Sequence, residues 1–105
     1  MIKSSKIFIA GHNGMVGSAI FRYLSSLGYN NIITKSSKEL DLRNQDLVKQ
    51  FFLNENPEFV FLCAAKVGGI YANNKFRADF IYDNLMIEAN VIKFSHEFNV
   101  TKLLF

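Results

Sequence analysis

At 105 residues, half of them hydrophobic and 20% charged, the chain has the size and composition of one globular unit that buries about two-thirds of its unfolded surface. Its formal charge of +3 comes from lysines and arginines scattered along the sequence, without the clustered basic face of a nucleic-acid footprint. A single cysteine excludes an internal disulfide, the longest apolar run, "FVFLCAA", is too short for a membrane-spanning helix, and the start "MIKSSKIFIAG" lacks a signal peptide's long apolar core. A reducing, cytoplasmic setting with no nucleic-acid or membrane partner is therefore expected. No repeat, low-complexity tract or linker marks a domain boundary.

The apolar run Ile7 to Ala10 predicts a buried strand that stops at glycines. After it, Val16, Ile20, Tyr23, Leu24 and Leu27 fall on one helical face, and Gly28 is a natural stop just past them. Ile32 to Thr34 predicts a short second strand. "NQDLVKQFFLNENP" predicts a helix capped by Asn44, with Leu47, Val48, Phe51 and Phe52 facing inward and Pro57 beyond its end. "FVFLCAA" predicts a third strand, residues 79–97 a longer helix, and "KLLF" the start of a fourth strand. The order β-α-β-α-β-α-β is that of a parallel sheet covered by helices on both faces. The fold class is thus α/β, part of a Rossmann-like doubly wound sheet.

The stretch "AGHNGMVGSAI" places glycines at 11, 14 and 17, between the first strand and the first helix. The first permits a tight turn, the second lets backbone approach a pyrophosphate, and the third lets the helix pack closely. The free amide groups and positive dipole end of the helix starting near Met15 then face the phosphates. The spacing is G-x-x-G-x-x-G, a variant of the usual dinucleotide fingerprint, and its position at the start of a β-α-β unit points to nucleotide binding.

The end of the second strand decides which nucleotide. A carboxylate about 20 residues past the glycines bonds the ribose 2′-hydroxyl of NAD and repels a 2′-phosphate. Here the segment is "TKSSKEL", with Lys35 and Lys38 and no carboxylate before Glu39, which favours NADP(H). Asp41 either accepts from the adenine amino group or serves as a turn or cap before the next helix. Cys63, in an apolar strand, is expected to be a small buried core residue. His12 sits in the glycine loop as a backbone contact, and His96 is expected on an exposed helix face. No His/Cys/Asp/Glu spacing suggests a metal.

The stretches "FIAGHNGMVGSAI", "LCAAKVGGIYANN" and "ADFIYDNLMIEANVI" together resemble the GDP-L-fucose synthase family, within the extended short-chain dehydrogenases/reductases. The resemblance runs from about residue 6 to the last residue, and "AAKVGGI" followed by "ANN" is more specific than the glycine motif. It implies an NADPH-dependent enzyme that epimerises two ring carbons of GDP-4-keto-6-deoxy-D-mannose and then reduces the ketone to give GDP-L-fucose. By that resemblance Gly11, His12, Asn13, Gly14, Met15, Val16 and Gly17 cradle the pyrophosphate, and Asp41 and Leu42 flank the adenine. Ala64, Ala65 and Lys66 line the cofactor on its nicotinamide side, and Asn84 lies near it. Members often carry arginines at the positions of Asn13 and Ser37, on the 2′-phosphate; here neither is basic, and Lys35 and Lys38 take their place.

The family's catalytic serine, its Tyr-x-x-x-Lys pair and its acid/base cysteine and histidine match segments after the fourth strand, so no residue from 1 to 105 is assigned to catalysis. Residues 1–105 are expected to be the N-terminal part of an NAD(P)-binding domain, inactive by themselves. Tyr71 and Lys75 spell Y-x-x-x-K, but between the third strand and third helix, where the family has loop, and we read them as coincidence. Phe80, Ile81, Leu85, Ile87, Val91, Ile92 and Phe94 give the third helix more apolar surface than packing on a sheet requires. The resemblance implies homodimer contacts through residues 79–97, the alternative being cover by other segments of the same chain. Asn90 on that helix is expected to bond neighbouring backbone. The alternative functions are a non-catalytic nucleotide-binding or oligomerisation module, or part of another nucleotide-sugar epimerase or dehydratase.

Overall fold

The computed structural model describes residues 1–64 and 77–105. Among these residues four strands, β1 (Ile7–Ala10), β2 (Ile32–Thr34), β3 (Phe59–Leu62) and β4 (Lys102–Leu104), alternate with three helices, α1 (Met15–Ser26), α2 (Gln45–Glu55) and α3 (Arg77–Glu97). All strand pairs are parallel and the sheet order is β2-β1-β3-β4. The sheet runs through Ile7 beside Ile32 on one edge and Phe59 on the other. No described helix is long and apolar enough to cross a membrane.

β1 is apolar at every position because both of its faces are covered. Alternate side chains separate into two cores. Phe8 and Ala10 of β1 and Val60 and Leu62 of β3 pack against Val48, Phe51 and Phe52 of α2 and Ile87, Val91 and Phe94 of α3. On the other face Ile7 and Ile9 meet Leu24 of α1, with Ile20, Phe59 and Phe61 half-buried around them. Aromatic rings dominate the first core: Phe8 lies 4.4 Å from Phe51 between ring centroids, and edge-on to Phe52 at 6.3 Å.

The helix ends follow their local chemistry. α1 stops at Gly28, whose φ of +92° is open to glycine, while the Tyr29 amide donates to the Leu24 carbonyl oxygen at 3.1 Å and the Gly28 amide to that of Ser25. Asn44 caps α2 by accepting from the Leu47 amide at 3.0 Å, and Asn56 ends the helix in the left-handed region before the buried Pro57. α3 ends the same way at Asn99, with the Val100 amide donating to the Ser95 carbonyl oxygen.

Three expectations change in detail. α1 packs through Gly17, Ile20 and Leu24, while Val16 (62% exposed), Tyr23 (65%) and Leu27 point away. The helix approaches so closely at Gly17 that this bare backbone position, rather than its larger neighbours, defines the inner face. Leu47 is likewise half exposed, since Val48, Phe51 and Phe52 already fill the space above β1. β3 ends at Leu62 rather than continuing through the alanines, although the Cys63 amide still donates to the Ala10 carbonyl oxygen at 2.8 Å.

Phe52 is fully buried among aromatic neighbours. Phe52→Ala is expected to cost about 3–5 kcal/mol in urea unfolding. Leu47→Ala, one turn earlier on the same helix, is expected to cost under about 1 kcal/mol. Equal losses would contradict the assigned helix face.

Candidate functional site

The chain leaves β1 through Gly11, whose φ is +89°. A side-chain carbon there would sit 2.5 Å from the Ala64 amide nitrogen, so only glycine lets the turn pass the end of β3. At Gly17 a methyl group would overlap the Gly11 carbonyl oxygen, which locks the first turn of α1 onto the same loop. Gly14 is different. Its φ of −78° suits any residue, and an added carbon would meet the Gly11 oxygen at an ordinary 3.6 Å. It is the N-cap of α1, yet supplies no capping side chain, and no acidic residue occupies the first turn. A bare backbone that folding does not require thus faces outward at the positive end of a helix.

That end opens on a cleft of about 370 Å³ above the C-terminal ends of β1, β2 and β3. Gly11, His12, Asn13 and Gly14 line it from β1, Lys35, Ser36, Ser37 and Leu40 to Arg43 from β2, and Cys63 and Ala64 from β3, with Ile87 of α3. Because β1 lies between β2 and β3, successive connections depart to opposite sides of it. Such a switch point is where open parallel sheets hold ligands.

The loop after β2 is held by a reciprocal pair: the Ser36 amide donates to the Glu39 carboxylate at 2.8 Å, and the Glu39 amide donates to the Ser36 hydroxyl at 3.2 Å. The Ser36 amide, followed by its hydroxyl, draws the Glu39 carboxyl below its ordinary range. Lys35 and Ser37 line the cleft, whereas Lys38 is exposed and is not among the described lining residues. Farther along, the buried Asn90 of α3 donates to the Leu42 carbonyl oxygen at 2.9 Å, the backbone bond expected of it, but to a partner 48 residues away.

Arg43 joins the same loop to α3. Its Nε and Nη2 each donate at 3.0 Å to one oxygen of the Asp41 carboxylate, its own amide donates to Asp41 Oδ1, and Nη1 reaches Asp83 of α3 at 3.4 Å. Hydrogen bonding to Asp41, then the charges of Asp41 and Asp83, push the guanidinium above its ordinary value. Asp41 therefore lines the cleft and also holds the turn before α2, its carbonyl accepting from the Asn44 amide.

Two groups on the cleft wall carry further information. His12 lines the cleft, while its Nδ1 is buried without a hydrogen-bond partner among the described residues. Cys63, expected in the core, is only half-buried because the strand ends before it; burial still pushes its thiol up, so it stays protonated near neutral pH. Met15 and Val16 are exposed and Gly17 buried, and none of the three is among the described lining residues. Asn84 is half-buried on α3 and is not among the described lining residues, and His96 is exposed as expected. Ala65, Lys66, Tyr71 and Lys75 lie outside the described residues. Among the described residues no group of three or more His, Cys, Asp or Glu can hold a metal ion.

Sequence reasoning missed Ser36, Leu40, Arg43, Cys63 and Ile87 as lining residues. The S-x-x-E spacing of Ser36 and Glu39 carried a signal for the first; Arg43 and Asp83, 40 residues apart, carried none.

A family model described as the NAD dependent epimerase/dehydratase family matches residues 7–105. The chain belongs to this family. Within it, GDP-L-fucose synthase 1 of Arabidopsis thaliana is 55% identical over 98% of this chain and 32% of its own length. GDP-L-fucose synthase of Escherichia coli K12 is 49% identical over 99% of this chain and 32% of its own length. A GDP-mannoheptose C4 reductase from Campylobacter jejuni, solved with NADP bound, superposes with a TM-score of 0.94 at 51% identity, covering 98% of this chain and 32% of that one. The chain spans about a third of the length of the curated relatives it matches.

The two glycines make a paired test. Gly17→Ala is expected to lower unfolding stability by at least about 2 kcal/mol, through overlap with Gly11. Gly14→Ala is expected to cost under about 1 kcal/mol. Comparable losses in urea titrations would show that Gly14 serves the fold.

Proposed function

We propose that the cleft binds NADP(H), and that residues 1–105 are the N-terminal, cofactor-binding part of an NADPH-dependent GDP-L-fucose synthase. The observation that carries this reading is Gly14, a glycine the fold does not need, at an uncapped helix end that opens on the switch-point cleft. The fit is supported by Lys35 and Ser37, which line the same cleft from the end of β2. In this reading Gly11 to Gly14 and the backbone of Met15, Val16 and Gly17 receive the pyrophosphate. Lys35 and Ser37, with Lys38 in the same loop, receive the 2′-phosphate. Asp41 and Leu42 flank the adenine, and Ala64 adjoins the nicotinamide side, where Ala65 and Lys66 follow in sequence and Asn84 completes the set. The bound cofactor supplies hydride to a keto-sugar nucleotide; these residues supply grip and orientation.

A GDP-4-keto-heptose reductase is the second reading, favoured by solved heptose enzymes that match this segment at 51% identity, level with the fucose synthases. Turnover of GDP-4-keto-6-deoxy-D-mannose against its heptose counterpart by a full-length enzyme that carries this segment separates the two.

For the cofactor, NADPH at a hundredfold its dissociation constant is expected to stabilise the protein by about 2.7 kcal/mol and to raise its melting temperature more than NADH at equal concentration does. Equal shifts would refute the 2′-phosphate assignment; no shift with either would refute the nucleotide site.

We also propose that α3 docks on a second copy of this protein. Tyr82, Leu85, Ala89 and Ile92 form an exposed stripe with the three-four spacing of a helix-pairing seam, on the side of α3 opposite the buried Ile87, Val91 and Phe94. Leu85→Glu is expected to halve the mass measured by light scattering, with the fold retained by circular dichroism; an unchanged mass would rule out this seam.

A further inference from the structure

Asp41 is held with unusual completeness for a cleft-lining surface group. Two arms of the Arg43 guanidinium meet its two oxygens at 3.0 Å, and the Arg43 amide adds a third donor to Oδ1. A planar fork of this kind fixes the plane of a carboxylate as well as its position, which a lysine's point charge does not do. The fork is itself braced, since Nη1 reaches Asp83 on α3, a largely buried carboxylate on a different layer of the fold. The backbone beneath does not depend on Arg43: Leu40 is buried in the core, and Asn90 holds the Leu42 carbonyl oxygen independently. Arg43 is thus arranged to orient one carboxylate rather than to hold the loop.

We infer that Arg43 is a positioning residue for the purine base, holding the Asp41 carboxylate in the orientation from which it accepts adenine's exocyclic amino group. This rests on the nucleotide-binding reading above. The ligand class recognised is a 6-aminopurine nucleotide. Hypoxanthine, which presents a carbonyl oxygen in place of the amino group, sets two acceptors against each other.

The test compares dissociation constants for NADPH and deamino-NADPH, its hypoxanthine counterpart, by fluorescence titration of the protein, Arg43→Gln and Arg43→Lys. The unsubstituted protein is expected to prefer NADPH by roughly tenfold or more, the worth of one hydrogen bond to a charged acceptor. In Arg43→Gln the preference is expected to fall to about twofold, and Arg43→Lys, which keeps the charge but loses the fork, is expected to fall with it. Both substitutions fall on an exposed side chain, and their melting temperatures report folding separately. A preference unchanged in both variants, or absent from the unsubstituted protein while NADPH still binds, would overturn the positioning role. Failure of the unsubstituted protein to bind either nucleotide would instead overturn the nucleotide reading itself.

Discussion

The site depends on how closely three pieces of backbone approach one another: Gly11 against Ala64, and Gly17 against the Gly11 carbonyl. No side chain fits at either contact, so the end of β1, the end of β3 and the first turn of α1 are held in a fixed relation by exclusion of volume. Bonds reinforce the arrangement, the Gly14 amide donating to the Gly11 oxygen and the Cys63 amide to that of Ala10. The helix axis is thereby aimed, and its unpaired amides with it. Gly14 takes no part in this exclusion, which separates the glycines that build the loop from the one that leaves it bare.

The three strand ends reach the cleft by different means. The β1 end is fixed by contact, the β2 end by the Ser36–Glu39 exchange and the Asn90 bond to Leu42, and the β3 end by its pairing with β1. The β2 end is tied to α3 twice, through Asn90 and through Arg43 to Asp83, so the same helix packs on the core with one face and steadies the cleft with another. Hydrophobic burial sets where α3 lies. The polar bonds along it set the register between that helix and the loop after β2.

Element order, caps and sheet class were readable because they are written in local chemistry. Asn44, Gly28 and Pro57 each act on backbone within a few residues, and the apolar strands stand out by composition. The inner face of α1 was not readable from hydrophobicity, because the decisive residue there is Gly17, which attracts by having no side chain and scores as nothing on an apolar scale. Leu47 misled for a related reason: its helix had more apolar residues than the space above β1 holds. Gly11 to Gly14 and Lys35 reach the cleft as their sequence positions suggested. Arg43 escaped notice since its partners, beyond the adjacent Asp41, lie across the fold. Lys35 and Lys38 look equivalent in sequence, and only the folding back of the Ser36 loop separates them.

β1 is the earliest of the four described strands and, like β3, has neighbours on both sides, Ile7 beside Ile32 and Phe59. During synthesis its second neighbour emerges some fifty residues later, after α1, β2 and α2 have all been made. Until then the segment Ile-Phe-Ile-Ala carries an open row of amides and carbonyls with apolar side chains on both faces, a ready template for pairing with another nascent chain. The central placement that makes this strand the most sheltered in the finished fold makes it the most vulnerable on the ribosome, and protection by a chaperone matters most over that interval.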